Sequence, residues 1–266
     1  MDPFETKVVR GVTLRKDPVR EACFTVADTD DQMISWPDWS DQSKRERIHR
    51  HMNNEMTTTE VAAQCLCDFP DAPWELRMEL ARQVWDESRH AMGLYRRLKE
   101  LGGCKGEFPV ANFEWTVSSY IDSVVGRITV MNRTFEAGTM DLMASLPSEW
   151  RQNGDPKTAE LLEAIAADEI HHVRFANHWV RKLCAENKRN LLKVVQAVRF
   201  LDMAQKALSP PPGTVNIVGV SVESAAQSAP INVPDRQLAE FTDEEISVLL
   251  KQHGLETLAT EQEARA

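Results

Sequence analysis

A phrase of the form Asp-Glu-x-x-His occurs twice in the chain, as Asp86-Glu87-Ser88-Arg89-His90 and as Asp168-Glu169-Ile170-His171-His172. Each copy lies in a long stretch of helical periodicity. Residues i and i+3 share one face of an α-helix, so each Glu-x-x-His pair turns a carboxylate and an imidazole toward a common point. Two such pairs, with one further Glu from each of two other helices, would offer four carboxylates and two imidazoles to two metal ions inside a helical bundle. That demand restricts helix number, direction and register together.

The rest of the chain reads as the helices this arrangement needs. A first helix is predicted over about 43–67, where Ile48, Met52, Thr59, Ala62, Leu66 and Phe69 fall on one side with Glu55 among them. Pro73 sits well at the start of a second helix, because its missing N–H would be unpaired there anyway. That helix runs to about Leu101, is ended by Gly102-Gly103, and turns Leu76, Leu80, Gln83, Glu87, His90 and Leu94 inward. A third segment from about Phe113 to Leu146 carries Glu136, with Gly126 at a break or a close helix contact, and 147–155 reads as loop. A fourth helix over about 156–185 carries Glu169 and His172, and a fifth covers about 191–208.

Residues 1–42 are Pro- and Asp-rich, with Phe24, Trp36 and Trp39 as apolar patches, and are predicted to form an irregular arm over the core. Ser209 to Gly213 closes the bundle, and Thr214 to Asp235 reads as loop-like or extended. Thr242-Asp243-Glu244-Glu245 is a capping box opening a short helix to Gly254, and the last dozen residues are expected to fray. The predicted organisation is an all-α chain: arm 1–42, helical bundle 43–208, and a C-terminal extension 209–266 packed on the bundle.

Antiparallel helices bring residues level when they are equidistant from the connecting loop, which tests the remaining ligands. Glu136 and Glu169 are centred between residues 152 and 153, inside the predicted loop. Glu55 and Glu87 are centred on residue 71, within Phe69–Pro73, whereas Glu60 would stand about 7 Å out of level at ~1.5 Å per residue. Glu60 also lies ~140° around the helix from Glu55. Glu55 is therefore the preferred first-helix ligand and Glu60 the alternative, beside Glu87, His90, Glu136, Glu169 and His172. Four carboxylates nearly neutralise two divalent cations, and oxygen-rich ligation with one imidazole per metal suits iron or manganese. Asp86 and Asp168 each stand where a carboxylate can receive the free N–H of the histidine on the opposite helix.

Other polar residues have blander readings. A single Glu-x-x-His is common on exposed helices, and only the repetition makes it a signal. His171 and His178 read as satisfied polar residues, His49, His51 and His253 as surface, and Met52, Met56, Met140 and Met143 as packing. Cys65-Leu66-Cys67 lacks a second nearby ligand pair, so helix packing is expected there rather than zinc, and the five cysteines form no secreted disulfide framework. The net charge of -10 is spread without a Lys/Arg cluster, which argues against a nucleic-acid partner. No leader and no run of ~18 apolar residues is seen, so a cytoplasmic protein without a membrane partner is expected.

The assembled residues resemble the ferritin-like superfamily, and more narrowly a bacterial ferritin-like family designated as a domain of unknown function. The likeness spans roughly residues 48–250, through Phe69-Pro70-Asp71-Ala72-Pro73-Trp74-Glu75, Phe108-Pro109-Val110, Arg133-Thr134-Phe135-Glu136-Ala137-Gly138, Asn177-His178-Trp179, Ile231-Asn232-Val233-Pro234 and both Asp-Glu-x-x-His phrases. It implies a ferritin-like four-helix bundle with an added fifth helix, and carries over Glu136 and both Glu-x-x-His pairs as ligands. Members tend to show a His-Glu-Leu-Gln-like stretch followed by another Glu; here Asn54-Glu55-Met56-Thr57 and Glu60 both match, which leaves the choice between the two glutamates open. The absent histidine and the threonines Thr57, Thr58 and Thr59 depart from that pattern and bear on the pocket.

By the same resemblance the cofactor would be two Fe ions, with Mn or mixed Mn/Fe as variants, and O2 a co-substrate. Glu87 and Glu169 would bridge, Glu55 and Glu136 would be terminal, and His90 and His172 would give one nitrogen per metal. Thr58, Thr59, Ala137 and Gly138 would leave room beside the metals. The expected function is an O2-activating di-iron oxygenase or oxidase acting on a small organic molecule, with an external electron donor; a homodimer is compatible with it. The alternatives are a ferroxidase or metal-handling protein, and a structural di-metal scaffold. Only Tyr95 and Tyr120 are available for a radical role, and spacing places neither beside a metal.

Overall fold

The computed structural model describes residues 5–34, 36–209 and 230–255. These are mostly helical, in an all-α architecture with two small two-stranded sheets. Helix α1 (Asp41–Asp68) starts where the Ser40 hydroxyl accepts the Ser43 N–H, and its inner face buries Ile48, Met52, Glu55, Ala62 and Cys65. The turn Phe69–Pro73 reverses the chain into α2 (Trp74–Glu100), whose buried Leu76, Leu80, Gln83, Glu87, His90, Leu94 and Leu98 recur every three or four residues. These two helices make the most extensive helix–helix contact in the molecule.

The third segment is not the continuous helix predicted over 113–146. It divides into α3 (Phe113–Ser118), α4 (Val124–Val130), a π-helical turn (Met131–Glu136) and α5 (Ala137–Met143). The break after α3 has a specific cause. The buried Arg127 guanidinium donates to the Ser119 and Ile121 carbonyls at 3.3 and 2.9 Å, so these carbonyls need no continuing helix to satisfy them. The same side chain pairs with Asp68 at 2.7 Å and stacks over Phe69, tying the break to the α1–α2 turn. Residues 147–155 were expected as loop, but α6 (Leu146–Gln152) occupies most of that span. Pro147 stands in its first turn, where proline starts a helix rather than ending one.

The long α7 (Pro156–Glu186) opens on Asp155, whose carboxylate accepts the Thr158 N–H. After it, α8 (Arg189–Leu208) crosses α4 at Gly126, where an added Cβ would stand 2.8 Å from Ser123 Oγ, 2.9 Å from Ile121 Cγ2 and 3.1 Å from Ala197 Cβ. Gly126 is thus the close contact anticipated at that position. Apolar clusters cover both ends of the assembly: Ile48, Leu94, Leu98, Trp150 and Leu162 at one, Val61, Leu76, Leu80, Ile128 and Trp179 at the other.

The arm is more ordered than expected. Strands β1 (Thr6–Val9) and β2 (Val12–Arg15) form an antiparallel hairpin, turned by Arg10 and Gly11 at φ 45 and 84°, the two left-handed positions a tight hairpin turn requires. Val9, Val12 and Leu14 pack on Leu201, Ala204 and Leu208 of α8. Farther on, β3 (Val26–Ala27) pairs in parallel with β4 (Val110–Ala111). Ahead of β3, Arg20 reaches α1, donating to Asn53, Thr57 and Glu60, and it also donates to Asn112 at the start of α3.

At the other terminus, the predicted loop 214–235 gives way to α9 (Val233–Leu238), capped by Asn232 and opened by Pro234; residues 214–229 lie outside the described residues, as do 210–213 and 256–266. The capping box at Thr242 is present and opens α10 (Asp243–Gln252). A buried Arg236–Asp141 pair at 2.6 Å joins this end to α5. Among the described residues no helix is long and apolar enough to cross a membrane.

Gly126→Val should force α4 and α8 apart and lower the unfolding free energy by about 1–3 kcal/mol. Urea unfolding measures this, and an unchanged midpoint would contradict the contact described.

Candidate metal centre

Four helical segments each deliver polar side chains to one buried point. α1 supplies Glu55, α2 supplies Glu87 and His90, the end of the π-helical turn supplies Glu136, and α7 supplies Glu169 and His172; none is more than 5% exposed. Their candidate ligand atoms form two groups, Glu55–Glu87–His90–Glu169 and Glu87–Glu136–Glu169–His172, with the atoms of each within 4.8 Å of one another. Glu87 and Glu169 belong to both. A π-helical turn adds one residue to a helical turn and is frequent at functional sites; here it ends on Glu136.

Both imidazoles have the same orientation. His90 Nδ1 stands 3.2 Å from Glu55, 3.1 Å from Glu87 and 3.5 Å from Glu169; His172 Nδ1 stands 3.2 Å from both Glu87 and Glu169. The outer nitrogens reach across to the opposite helix, His90 Nε2 to Asp168 at 3.1 Å and His172 Nε2 to Asp86 at 3.4 Å. This is the crossed pattern expected from the residue before each Glu-x-x-His. In the neutral ring, an Nε2–H donated to a carboxylate leaves Nδ1 as the lone-pair atom facing the cluster, the tautomer a cation needs. Arg89 bonds to both aspartates, and Gln83 Nε2 donates to Glu87 at 3.1 Å and Glu136 at 3.0 Å. Asn132 in turn donates to Gln83 Oε1 at 2.9 Å and to the His172 carbonyl at 3.3 Å.

The electrostatics call for positive charge. Burial, then the carboxylates of Glu169 and Glu55, push Glu87 up to about 7, and burial with Glu169 and Glu87 holds Glu136 well above the usual range. Burial opposes charge on the histidines, yet the hydrogen bonds His90 donates to Glu55 and Glu87 push it up to about 11, and Glu87 and Glu169 raise His172 well above an ordinary imidazole. Burial alone would raise Glu55, but His51 and His90 hold it well below a normal carboxylate. With protons alone, the cluster neutralises itself through two imidazolium ions and retained carboxyl protons. Two divalent cations would replace those protons and match four carboxylates charge for charge.

The alternative first-helix residue stands elsewhere. Glu60 accepts from Arg20 at 2.7 Å on the face of α1 that the arm covers, while Glu55 faces the cluster. Two residues expected on the surface are not. His49 is buried and accepts the Gly106 N–H at 2.9 Å, and His51 Nε2 stands 2.6 Å from Glu55 Oε1. His171 pairs with Glu79 at 2.8 Å, away from the cluster, as expected of a satisfied polar residue.

A cavity of about 40 Å³ adjoins the cluster, lined by His51, Asn54, Glu55, Thr58, Glu114, Phe135, Glu136 and Thr139. Glu114 carried no signal in the sequence because the break in the third segment positions it. Burial and the charges of Glu55 and Glu87 push its carboxyl up to about 7. Of the small residues expected to leave room, Thr58 lines the cavity, whereas Ala137 belongs to a core cluster with Val173 and Ile246. Thr59 spends its hydroxyl on the Glu55 carbonyl at 2.8 Å.

The chain belongs to the protein family of unknown function DUF455, whose model matches residues 6–247. It is also similar to an uncharacterized protein of Haemophilus influenzae, 28% identical over 113 residues that cover 42% of this chain and 39% of that protein. The match thus spans well under half of the relative. No solved structure matches the chain.

Two outcomes follow from the geometry. Glu55→Ala should reduce bound metal by one ion or more per chain while Glu60→Ala keeps full metal content; elemental analysis decides, and greater loss from Glu60→Ala would reverse the assignment. The second concerns pH. A carboxyl raised from 4.5 to about 7 stabilises the fold below 4.5 and loses that contribution as pH rises to 7; an imidazole raised from 6.5 to about 11 loses its contribution above 6.5. Metal-free protein should therefore melt lower at pH 8 than at pH 6, and added Mn(II) should raise Tm more at pH 8. Equal shifts at both values would contradict this.

Proposed function

We propose that this DUF455 member is a ferritin-like di-metal carboxylate protein, an O2-activating di-iron oxygenase or oxidase acting on a small organic substrate. The observation that carries the reading is the pair of buried quartets sharing Glu87 and Glu169. In this reading both metal positions would share those two glutamates, Glu55 and His90 would help hold one ion, and Glu136 and His172 the other. Fe is the preferred occupant for this oxygen-rich donor set, with Mn or Mn/Fe as variants. Iron bound there would supply the electrons that reduce O2 and the oxidising power passed to a substrate.

The remaining work falls to the chain itself. Gln83 fixes the carboxylates of Glu87 and Glu136 through one amide, and Asp86 and Asp168 hold the Nε2 protons that keep both Nδ1 atoms directed inward. His51 holds Glu55 Oε1, and His90 faces Oε2. Glu114, whose carboxyl retains a proton near neutral pH, stands on the cavity wall as the group able to deliver one. The apolar clusters at either end of the bundle keep bulk water from the site.

The cavity size favours a second reading. A volume of about 40 Å³ accommodates O2 or a water, whereas an organic substrate occupies a pocket of roughly 300 Å³ or more. A ferroxidase, for which iron is itself the substrate, needs no larger space. The oxygenase reading requires the His51, Phe135 and Thr139 wall to yield to substrate.

Fe(II)-loaded protein mixed with O2 should consume O2 in proportion to bound iron, and His172→Ala or Glu136→Ala should abolish uptake together with at least one bound ion. Gln83→Ala should weaken metal affinity by about 10–100-fold. Iron that stays bound after oxidation supports the oxygenase, and ferric iron released or mineralised supports the ferroxidase. Full iron loading without O2 uptake, with or without small organic additives, would leave only a structural scaffold.

A further inference from the structure

The face of α2 opposite Glu87 and His90 carries a second pattern, unrelated to the metal centre. Trp74, Met78, Ala81, Trp85, Ser88, Met92 and Tyr95 follow one another at alternating spacings of four and three residues, the repeat of helices that pack along their length. The large members lie open. Trp74 is 67% exposed, Trp85 66%, Met92 49% and Met78 44%. Scattered single apolar residues on a surface are ordinary, but a continuous stripe of this size marks an interaction face.

We propose that this stripe is the interface of a homodimer, in which α2 of one copy lies antiparallel against α2 of a second. Three observations single out a second copy. The first is shape: an antiparallel pairing that overlaps the helices over their whole length sets Trp85 against Ser88 and Ala81 against Met92, a large side chain over a small one at the centre of the stripe, with Met78 against Tyr95 outside them. The second is charge. Residues 71–79 hold Asp71, Glu75 and Glu79 against Arg77, whereas 89–100 hold Arg89, Arg96, Arg97 and Lys99 against Glu100, so antiparallel copies match acidic end to basic end. Glu75 and Arg96, both exposed and without a partner among the described residues, come within about 3 Å of level in that pairing, a gap their long side chains can span. Arg82 and Arg89 also approach their counterparts, but each already pairs with Asp86 in its own copy.

The third is area. A helix of 27 residues is about 40 Å long, and each two-thirds exposed tryptophan offers roughly 150 Å². Four tryptophans from two copies give roughly 600 Å², about half of the ~1,200 Å² at which stable interfaces begin, before the methionines and the charged flanks are counted. The two-fold axis passes at the level of Glu87, so dimerisation clamps α2 from outside at the height where it presents its carboxylate and imidazole inward.

Sedimentation velocity on the full chain tests this. The wild type should be a dimer at tens of micromolar, and Trp85→Glu should weaken self-association by at least about 30-fold with unchanged helicity. Trp74→Glu should act in the same direction. Glu75→Arg and Arg96→Glu should each weaken the dimer, and the double variant should restore it. A monomeric wild type would overturn the proposal, whether or not the stripe then binds vesicles or another protein; so would a Trp85→Glu variant that remains dimeric, or a failure of the charge-swapped pair to recover.

Discussion

Mutual repulsion among buried carboxylates is the constraint on which this molecule is organised. Glu55, Glu87, Glu136 and Glu169 share one interior between four helical segments, where each charge carries a desolvation penalty of several kcal/mol. Nothing in packing alone rewards that arrangement, since leucines at the same positions would fill the space without penalty. The arrangement holds when positive charge stands among the acids, on the two imidazoles whose protons these carboxylates favour or, in the function proposed, on metal ions. Everything nearest the cluster serves that balance: both histidines present Nδ1 inward because Asp86 and Asp168 hold Nε2, and Gln83 spans two carboxylates with one amide.

The surrounding fold can be understood as what is needed to keep these groups level. The turn Phe69–Pro73 sets Glu55 opposite Glu87, and the capped start of α7 at Asp155 sets Glu169 and His172. The π-helical turn adjusts the third segment by one residue at Glu136, where a straight α-helix would aim the carboxylate differently. Arg127 holds the break after α3 by taking the Ser119 and Ile121 carbonyls, and Glu114 of α3 stands on the cavity wall. Arg20 bonded to α1 and Arg236 bonded to α5 help fasten the arm and the C-terminal helices, beside the packing of the hairpin on α8 and the Arg133–Glu245 pair. Among the described residues neither the arm nor these helices contribute a side chain to the cluster.

How much of this was legible in the sequence depended on the range of the interaction responsible. The Glu-x-x-His pairs, the capping box at Thr242 and the extents of α1, α2 and α7 follow from local periodicity and local capping, and those readings agree with the structure. Glu55 stands level with Glu87 about the turn, as the spacing predicts, but what occupies Glu60 is Arg20, forty residues away, which no spacing reveals. The third segment has the periodicity of one helix, while its interruption depends on Arg127 folding back over it. Pro147 reads as a loop residue in the sequence yet opens a helix, and the Arg10-Gly11 turn is too short a signal to declare the hairpin. His51 looked like surface because a histidine in a charged stretch usually is, and its partner Glu55 is what draws it in.

The central claim is that the cluster is built for two cations sharing Glu87 and Glu169. Anaerobic titration with Fe(II), followed by gel filtration, metal analysis and Mössbauer spectroscopy of the bound iron, tests it most directly. The account predicts two ferrous ions per chain in high-spin, oxygen-rich sites, each with nitrogen ligation. Retention of one ion or none, or binding that survives simultaneous replacement of Glu87 and Glu169 by alanine, would contradict it.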